Sequence, residues 1–560
     1  MKHFNQIFTQ RRIFWIFSGI MLVPNIFLCF TEQLPFLFKV SYILIPGALY
    51  LLLLILSRKP GITFWALFPL HFIGAFQLVL LYLFGNSIIA SDMFLNMFTT
   101  NSGEAFELLD KLAPAVVGVF LLYLPALALA VYSIRRTETL TPLFQKRVFM
   151  LAMLMIGSGI LVYTPAHRKY PHTAKLDNLY PINAFNNARF AVDSWEAAKN
   201  YPRTSRKFDY RATSTRDTEL PEIYIFVIGE TSRAGNWGLY EYERNTTPKL
   251  NAMPDVIHFD DVLTQINATH KSVPLMLCPA DALNYNEIYR QKSLISAFKQ
   301  AGFHTSFLSN QLRNGSFTEF FADEADCTIY FAAPKNKPHL HDDVLLSAVD
   351  SLLNIGKTKQ LIILHTYGSH FNYKERYPEI FSLYEPDNVA NVKVENKVQL
   401  INAYDNSIRY TDNFLYTLIG MLRKQEVISA LFYTPDHGED MLDDRRKRFL
   451  HSSPNPTFYQ LYIPMFIWFS ENYQRDFPEK VGYAVQNKPK PVATNAVFHM
   501  MLDVAFIQTP YLQPGLSLVS SDFQTRQRMY LNDHDKPIFF YNAGLKKADK
   551  QMIDKRKLSH

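Results

Sequence analysis

The sequence predicts two parts of opposite character: a bundle of five membrane-spanning helices, then an α/β domain built on a mainly parallel central sheet. Three observations carry this. Five apolar runs of spanning length crowd the first 163 of 560 residues. Positive charge is segregated among the loops that join them. From residue 221 onward, short apolar β-rich runs alternate with longer segments of helical period. The boundaries read as 1–163 for the membrane domain, 164–220 for a connecting segment and 221–560 for the α/β domain.

The apolar runs fall at 13–30, 40–56, 63–85, 114–133 and 148–163. As helices, each is long enough to cross roughly 30 Å of hydrocarbon. Residues 1–163 hold eleven Lys or Arg against six Asp or Glu, which accounts for +5 of the formal +7. Nine of those eleven (Lys2, Arg11, Arg12, Arg58, Lys59, Arg135, Arg136, Lys146, Arg147) lie in the amino tail and the second and fourth loops. Glu32, Asp92, Glu104, Glu107 and Asp110 lie in the alternate loops. The positive-inside rule then makes the amino terminus cytoplasmic, and an odd number of crossings puts everything after Tyr163 on the outer side. The first run lacks a small-residue cleavage site and four more follow it, so it reads as an anchor. The remaining chain is almost balanced in charge, which excludes a nucleic-acid partner, and 48% apolar residues exclude a disordered chain.

Segment 164–220 is rich in Pro, Asn, Arg and Lys, and its amphipathic stretch 183–199, with Phe185, Phe190, Val192 and Trp195, reads as a helix lying along the membrane interface. Strands are expected at 223–228, 305–308, 361–364, 430–433 and 465–469. Apolar runs this short, bounded by turns, suit strands buried on both faces. Ile401, Ile408, Leu415 and Leu422 recur every seven residues and mark one buried helical stripe. Cys29 falls in the first span; Cys278 and Cys327 fall outside, where their spacing leaves open either a bridge or two buried thiols.

In such sheets ligands gather beyond the carboxyl ends of the strands. The first strand ends at Glu230, the third is followed by His370, the fourth ends at Asp436-His437, and His451 follows the basic loop Arg445, Arg446, Lys447, Arg448. Singly these are ordinary turn or capping residues. Together they form the mixed oxygen and nitrogen donor set that a metal ion requires. A nucleophile is available between the first two strands, where Thr269 and Ser272 precede or open a helix. A hydroxyl at that place, beside a metal and a helix start, deprotonates more easily. Position alone leaves both hydroxyls open.

Six blocks occur in order: Gly229-Glu230-Thr231-Ser232-Arg233 continuing through Tyr242, Arg244, Thr246 and Pro248; Thr269 with Ser272-Val273-Pro274; His365-Thr366 with Gly368-Ser369-His370 and Arg376-Tyr377-Pro378; Tyr404-Asp405-Asn406 with Tyr410-Thr411-Asp412; Asp436-His437-Gly438-Glu439; and Leu450-His451. Behind five spans, this series resembles the bacterial phosphoethanolamine transferases, integral-membrane members of the alkaline phosphatase and sulfatase superfamily. The resemblance implies a sulfatase-like α/β domain in which Glu230, Thr269, Asp436 and His437 bind one zinc ion, with Thr269 also the nucleophile. It implies that His370 and His451 contact phosphoryl oxygens or a second metal ion and that one of them is a general acid. Asn96, Thr100 and Glu104, at i, i+4 and i+8, advance about 40° per step on a helix and share a face. The resemblance places this trio near the ethanolamine headgroup.

The implied reaction takes phosphoethanolamine from phosphatidylethanolamine, releases diacylglycerol through a covalent phospho-threonine intermediate, and delivers to lipopolysaccharide (lipid A phosphate or core sugar) or another envelope glycan. The implied setting is the bacterial inner membrane, with the catalytic domain in the periplasm. Three departures stand out: no Cys lies beside Thr269 where relatives place a disulfide, Glu241 replaces a family glycine, and Asp440 stands where Ser is common. Arg313 is a candidate for the phosphate-binding cation. Two competing readings are a glycerol-phosphate polymerase of the lipoteichoic acid type and a non-catalytic, membrane-tethered binding module.

Overall fold

Apolar length decides the first part of the chain and strand burial the second. The computed structural model describes residues 8–32, 34–84, 88–99, 112–170, 175–216, 220–332, 340–389 and 392–559, and the chain divides into a mainly helical unit, Met1–Phe94 with Leu108–Val192, and an α/β unit, Leu95–Glu107 with Asp193–His560. In the helical unit, α1 (Gln10–Thr31), α2 (Phe36–Leu54), α6 (Ala113–Arg135) and α7 (Pro142–Lys169) are each long and apolar enough to cross a membrane. A shorter helix, α5, runs Ser91–Thr99.

The expected span at 63–85 is broken. It forms α3 (Pro60–Ala66) and α4 (Phe68–Phe84), which meet at a bend of 65°, so the described residues hold five segments long and apolar enough to cross if this pair counts as one. Pro69 explains the break, because it has no N–H to offer the carbonyl of Trp65 and its ring crowds that turn. His71 repairs part of the damage: its Nε2 lies 2.9 Å from the Phe64 carbonyl, and its ring stacks on Phe64 at 3.9 Å. Farther on, α8 (Ile182–Lys199) buries Asn183, Ala184, Asn187 and Ala191 and exposes Phe185 and Val192, the two-faced character read from 183–199.

In the α/β unit the five expected strands form as β1 (Glu222–Gly229), β3 (His304–Ser309), β5 (Lys359–His365), β6 (Ile428–Pro435) and β7 (Phe466–Phe469). Two short strands, β2 (Val256–His258) and β4 (Cys327–Tyr330), complete a seven-stranded sheet in the order β2-β7-β6-β1-β5-β3-β4. Only β7 runs against the others. Every residue of β1 and β6 is buried, as central parallel strands require. Tyr224, Phe226 and Ile228 join Phe307, Ile363, Phe432 and residues of the helices Leu294–Gln300 and Ala496–Val504 in one core.

Helix α9 (Thr269–Leu277) adds Val273, Leu275, Met276 and Leu277 to that core. Helix α10 (Lys397–Arg423) buries Ile408, Leu415 and Leu422, with Ile401 half-buried at its start. It also buries Asp405, Asn406 and Asp412. All three cysteines are free: Cys278 is buried at the end of α9 and Cys327 opens β4, so thiols and not a bridge occupy these places.

Candidate active site

Parallel pairing brings the strand tips level. Ile228 of β1 stands opposite His365 of β5 on one side and Thr434 of β6 on the other, with Gly229 opposite Pro435, so Glu230 and Asp436 emerge at the same height. The loop after β5 wraps the first of these: Ser369 N donates to Glu230 O at 3.0 Å, and Gly368, at φ +54°, lies so close that a Cβ there would sit 2.8 Å from both Glu230 N and O. Asp342 holds this loop, accepting from Tyr367 N at 2.7 Å and Gly368 N at 2.9 Å. On the other side a Cβ at Gly438 would stand 2.2 Å from the Tyr459 carbonyl, so only glycine lets Asp436-His437 turn there.

Left-handed backbone at non-glycine residues clusters around the same point: Thr231 (φ 56°), Leu450 (φ 65°) and Ser452 (φ 60°). Such positions cost on the order of 1–3 kcal/mol each and persist only where their surroundings hold them. Thr231 is held by its N–H to Asp436 Oδ1 at 3.0 Å and by Tyr404 Oη donating to its carbonyl at 2.8 Å. Glu241 adopts φ 61°, a conformation in which glycine is the easier residue, so the replacement keeps the turn at some strain.

Glu230, Asp436 and His437 present ligand atoms within 4.8 Å of one another. Thr269, the first residue of α9, places Oγ1 3.2 Å from Glu230 Oε1 and 3.1 Å from His437 Nε2. Ser272 instead donates to the Asp436 carbonyl at 2.7 Å, so of the two candidate hydroxyls only Thr269 faces the cluster. His437 Nδ1 lies 2.9 Å from the Gly438 carbonyl, which puts its hydrogen there and leaves a lone pair on Nε2. That lone pair faces Asp436 Oδ2 at 3.1 Å and Glu230 Oε1 at 3.8 Å, and Asp436 Oδ2 has no hydrogen-bond donor. Acceptors facing acceptors in a buried space are unfavourable unless a cation lies between them. Three oxygens and one imidazole nitrogen are a donor set that suits zinc.

The electrostatics agree. Burial, then Asp436, pushes the Glu230 carboxyl up to about 7; burial pushes Asp436 up to about 6; and loss of hydration, then His451, drops His437 to about 4. Gln311 steadies Glu230 from behind, donating to Oε2 at 2.9 Å and to the Thr366 carbonyl at 2.9 Å.

His451 arrives by a two-residue ladder in which Leu450 pairs with Asp440 and Phe449 with Met441. Its ring packs 4.1 Å from that of His437 and 6.0 Å from that of His370, and its Nδ1 lies 3.1 Å from Glu439 Oε1. Burial raises Glu439 to about 8, and loss of hydration lowers His451 to about 3. His370, lowered to about 4 by the same cause, holds its Nδ1 hydrogen against the Phe371 carbonyl at 2.6 Å.

Other expectations resolve differently. Arg313 turns to Asp323, at 2.5 Å, and to Glu319, and lies over the Tyr330 ring at 4.4 Å, so its charge is spent on its own neighbourhood. The basic loop before His451 is structural: Arg446 pairs with Asp444 and Asp549, and buried Arg448 donates to Ser453 Oγ. Helix α10 splints the segment after β1, with Asp405 accepting from Asn236, Tyr242 and Arg244, and Asp412 from the Lys249 and Leu250 N–H groups. Thr100 and Glu104, and the side chain of Asn96, lie outside the described residues. Gln311 and Asp342 were not anticipated; the signal for Gln311 was its place just past the end of β3.

The sulfatase family model matches residues 222–507, more than half of the chain. A second model, phosphoethanolamine transferase EptA/EptB, matches residues 47–172. The chain belongs to the sulfatase family, in its integral-membrane phosphoethanolamine transferase branch. Within that family, a Kdo(2)-lipid A phosphoethanolamine 7''-transferase of Salmonella typhimurium is 33% identical over 276 residues, 48% of this chain and 47% of that protein, so the chain matches about half the length of this relative. The C-terminal periplasmic domain of EcEptC from Escherichia coli, solved in complex with Zn, is 26% identical, covers 60% of this chain and 97% of that one, and superposes with a TM-score of 0.55. The integral membrane EptA of Neisseria meningitidis, 20% identical, shares the fold over 90% of this chain and 98% of its own, at a TM-score of 0.71.

Proposed function

We propose that this chain transfers phosphoethanolamine from phosphatidylethanolamine to lipopolysaccharide, at a lipid A phosphate or a core sugar. It would act from the bacterial inner membrane, with residues 1–163 as the membrane domain and residues 221–560 as a catalytic domain in the periplasm. The observation that carries the reading is the meeting of Thr269 Oγ1 with Glu230, Asp436 and His437 at the tips of the central strands. Similarity to a Kdo(2)-lipid A phosphoethanolamine 7''-transferase supports the choice of substrate class.

Glu230, Asp436, His437 and Thr269 would hold one zinc ion, which acts when bound as a Lewis acid and favours loss of the Thr269 proton. Thr269 Oγ attacks phosphorus in line, the bond from phosphorus to the diacylglycerol oxygen breaks, and phosphoethanolamine remains esterified to the threonine. With Glu439 raised and His451 lowered, the pair carries one proton on the carboxyl, which donates to Nδ1 and leaves a hydrogen on Nε2. That Nε2–H protonates the departing oxygen as the Glu439 proton follows to Nδ1. His370, with Nε2 bare, takes up a proton as the phosphodiester anion enters and then pairs with phosphoryl oxygens. In the second half the acceptor oxygen attacks phosphorus and the bond from phosphorus to Thr269 Oγ breaks; the acceptor's proton goes to His451 Nε2 as Nδ1 returns its own to Glu439, and Thr269 takes back from solvent the proton it lost there in the first half. Asn96, Thr100 and Glu104 serve the headgroup, with the carboxylate matched to the ammonium.

The test is Thr269→Ala in the full chain, incubated with headgroup-labelled phosphatidylethanolamine. No labelled protein should form, and lipopolysaccharide from cells carrying the variant should lack the added phosphoethanolamine by mass spectrometry. Normal labelling of that variant would end the proposal.

A further inference from the structure

The hairpin β8 (Met529–Leu531) and β9 (Pro537–Phe539) lies some 260 residues beyond the nucleophile yet grips the loop that carries it. Ahead of Thr269, Leu531 N donates to the Gln265 carbonyl at 2.8 Å and Tyr530 Oη donates to Asn267 Oδ1 at 2.8 Å. After it, Lys271 Nζ donates to Asp535 Oδ1 at 2.6 Å. Both members of this ion pair are withdrawn from water, with side chains 1% and 7% exposed. Lys271 is turned into the protein in the first turn of α9, where a surface helix would put a lysine in solvent.

The turn is shaped for the grip. Asn532 Oδ1 accepts from the His534 and Lys536 N–H groups at 3.0 and 2.9 Å, and Asp535 takes φ 54°, a left-handed conformation that Asp tolerates better than most residues. Asn267 extends the grip across the site. Its Nδ2 donates to the Ser453 carbonyl at 3.0 Å and to Gln460 Oε1 at 2.6 Å, and its own carbonyl accepts from Ser452 N at 2.9 Å. Ser452 is the residue after His451, so the hairpin, the nucleophile loop and the His451 strand end are locked in one network.

We infer that the hairpin Met529–Phe539 is a clamp that sets Thr269 against its partners, with Tyr530 and Asp535 as positioning residues for the transfer step. A clamp on both flanks of one residue fixes its rotation as well as its height, and a hydroxyl displaced by about 1 Å loses on the order of a hundredfold in rate. The inference rests on Thr269 being the nucleophile. A contribution to stability alone is the competing account, and the buried pair separates the two. Breaking such a pair from one side strands a buried charge, whereas replacing both members by neutral residues, with one that tolerates positive φ at position 535, leaves the fold intact.

The experiment compares wild type, Tyr530→Phe, the double variant Lys271→Met with Asp535→Asn, which keeps a side chain that tolerates the left-handed turn, and Thr269→Ala, all as full chains in detergent. Three quantities are read: the rate of labelled adduct formation, the KM for phosphatidylethanolamine, and amide hydrogen exchange over 265–272 in zinc-free protein. The clamp predicts adduct formation slowed about ten- to a hundredfold in the double variant and several-fold in Tyr530→Phe, with KM unchanged, faster local exchange and an unshifted Tm. Wild-type rates in both hairpin variants, with Thr269→Ala inactive, overturn the clamp and leave the nucleophile standing. An adduct that persists in Thr269→Ala overturns both. Tyr530→Phe removes one hydroxyl and no packing, so it decides the matter if the double variant does not fold.

Discussion

Two regions of this chain bury polar groups at similar depth, and they do so to opposite ends. Among the membrane helices, Asn25 is wholly buried yet matched: its Nδ2 donates to the Tyr180 and Tyr42 carbonyls at 2.7 and 3.3 Å, and Tyr50 Oη donates to its Oδ1 at 3.0 Å. At the tips of β1 and β6, by contrast, Asp436 Oδ2 has no donor and faces the lone pair of His437 Nε2 at 3.1 Å, while Glu230 Oε1 relies on the hydroxyls of Thr231 and Thr269. The first arrangement is complete within the protein and serves packing. The second leaves an acceptor facing an acceptor, an arrangement that a cation between them would relieve.

The sharpest way to break the contrast is to remove a member of the unmatched set. Asp436→Ala should abolish tight zinc binding and lower transfer by on the order of 10³-fold or more, while the chain stays folded and inserted, as read by metal analysis and adduct labelling. Undiminished zinc content in that variant would mean that the acceptors at the strand tips have some other purpose.

Titration comes next in size. Glu230 and Asp436 are raised to about 7 and about 6 from ordinary values of 4.5 and 3.8. Between the ordinary and raised values, the folded zinc-free protein holds more protons than the unfolded chain, so its stability falls as pH rises across that window. Zinc requires both carboxylates ionised, so its stabilising effect grows over the same window. Thermal unfolding with chelator and with zinc should therefore give curves that diverge from about pH 5 to about pH 7. Parallel curves would contradict the role given to these acids. The Asn25 network has no titrating member in this range and should leave both curves unchanged.

How much of this was readable beforehand follows from what each residue depends on. The five core strands were legible because burial on both faces writes itself as an uninterrupted apolar run, and once β1, β5 and β6 are parallel neighbours their register forces Glu230 and Asp436 together. The edge strands β2 and β4 were missed: they are three and four residues long, and most of their side chains are only partly buried. The break at Pro69 lay in plain view, but a hydropathy window averages over it. Gln311 and Asp342 were invisible because their importance comes from tertiary partners, Glu230 Oε2 and the Tyr367–Gly368 backbone, that no local pattern encodes. Arg313 misled for the converse reason. A cation near a strand end suggests phosphate, yet Glu319 and Asp323 sit within reach and claim it.

Gln311 offers a finer cut at the same comparison. Its amide orients Glu230 without belonging to the acceptor set, so Gln311→Leu should weaken zinc about ten- to a hundredfold, the usual cost of losing a partner behind a ligand. Competition with a chelator of known affinity would measure this. An unchanged affinity would show that Thr231, which also donates to Glu230 at 2.7 Å, orients the carboxylate on its own.

The smallest effect belongs to the matched region and is the control on the rest. Tyr50→Phe deletes one donor to Asn25 and leaves the ring in place. Hydrogen bonds between membrane helices average only about 0.6 kcal/mol, because the unfolded-in-membrane state finds substitutes. The variant should thus melt within a few degrees of wild type, bind zinc as tightly and form adduct at the same rate. A large fall in zinc affinity or transfer would mean that the polar network among the helices is coupled to the strand tips, and the two regions would then have to be treated as one.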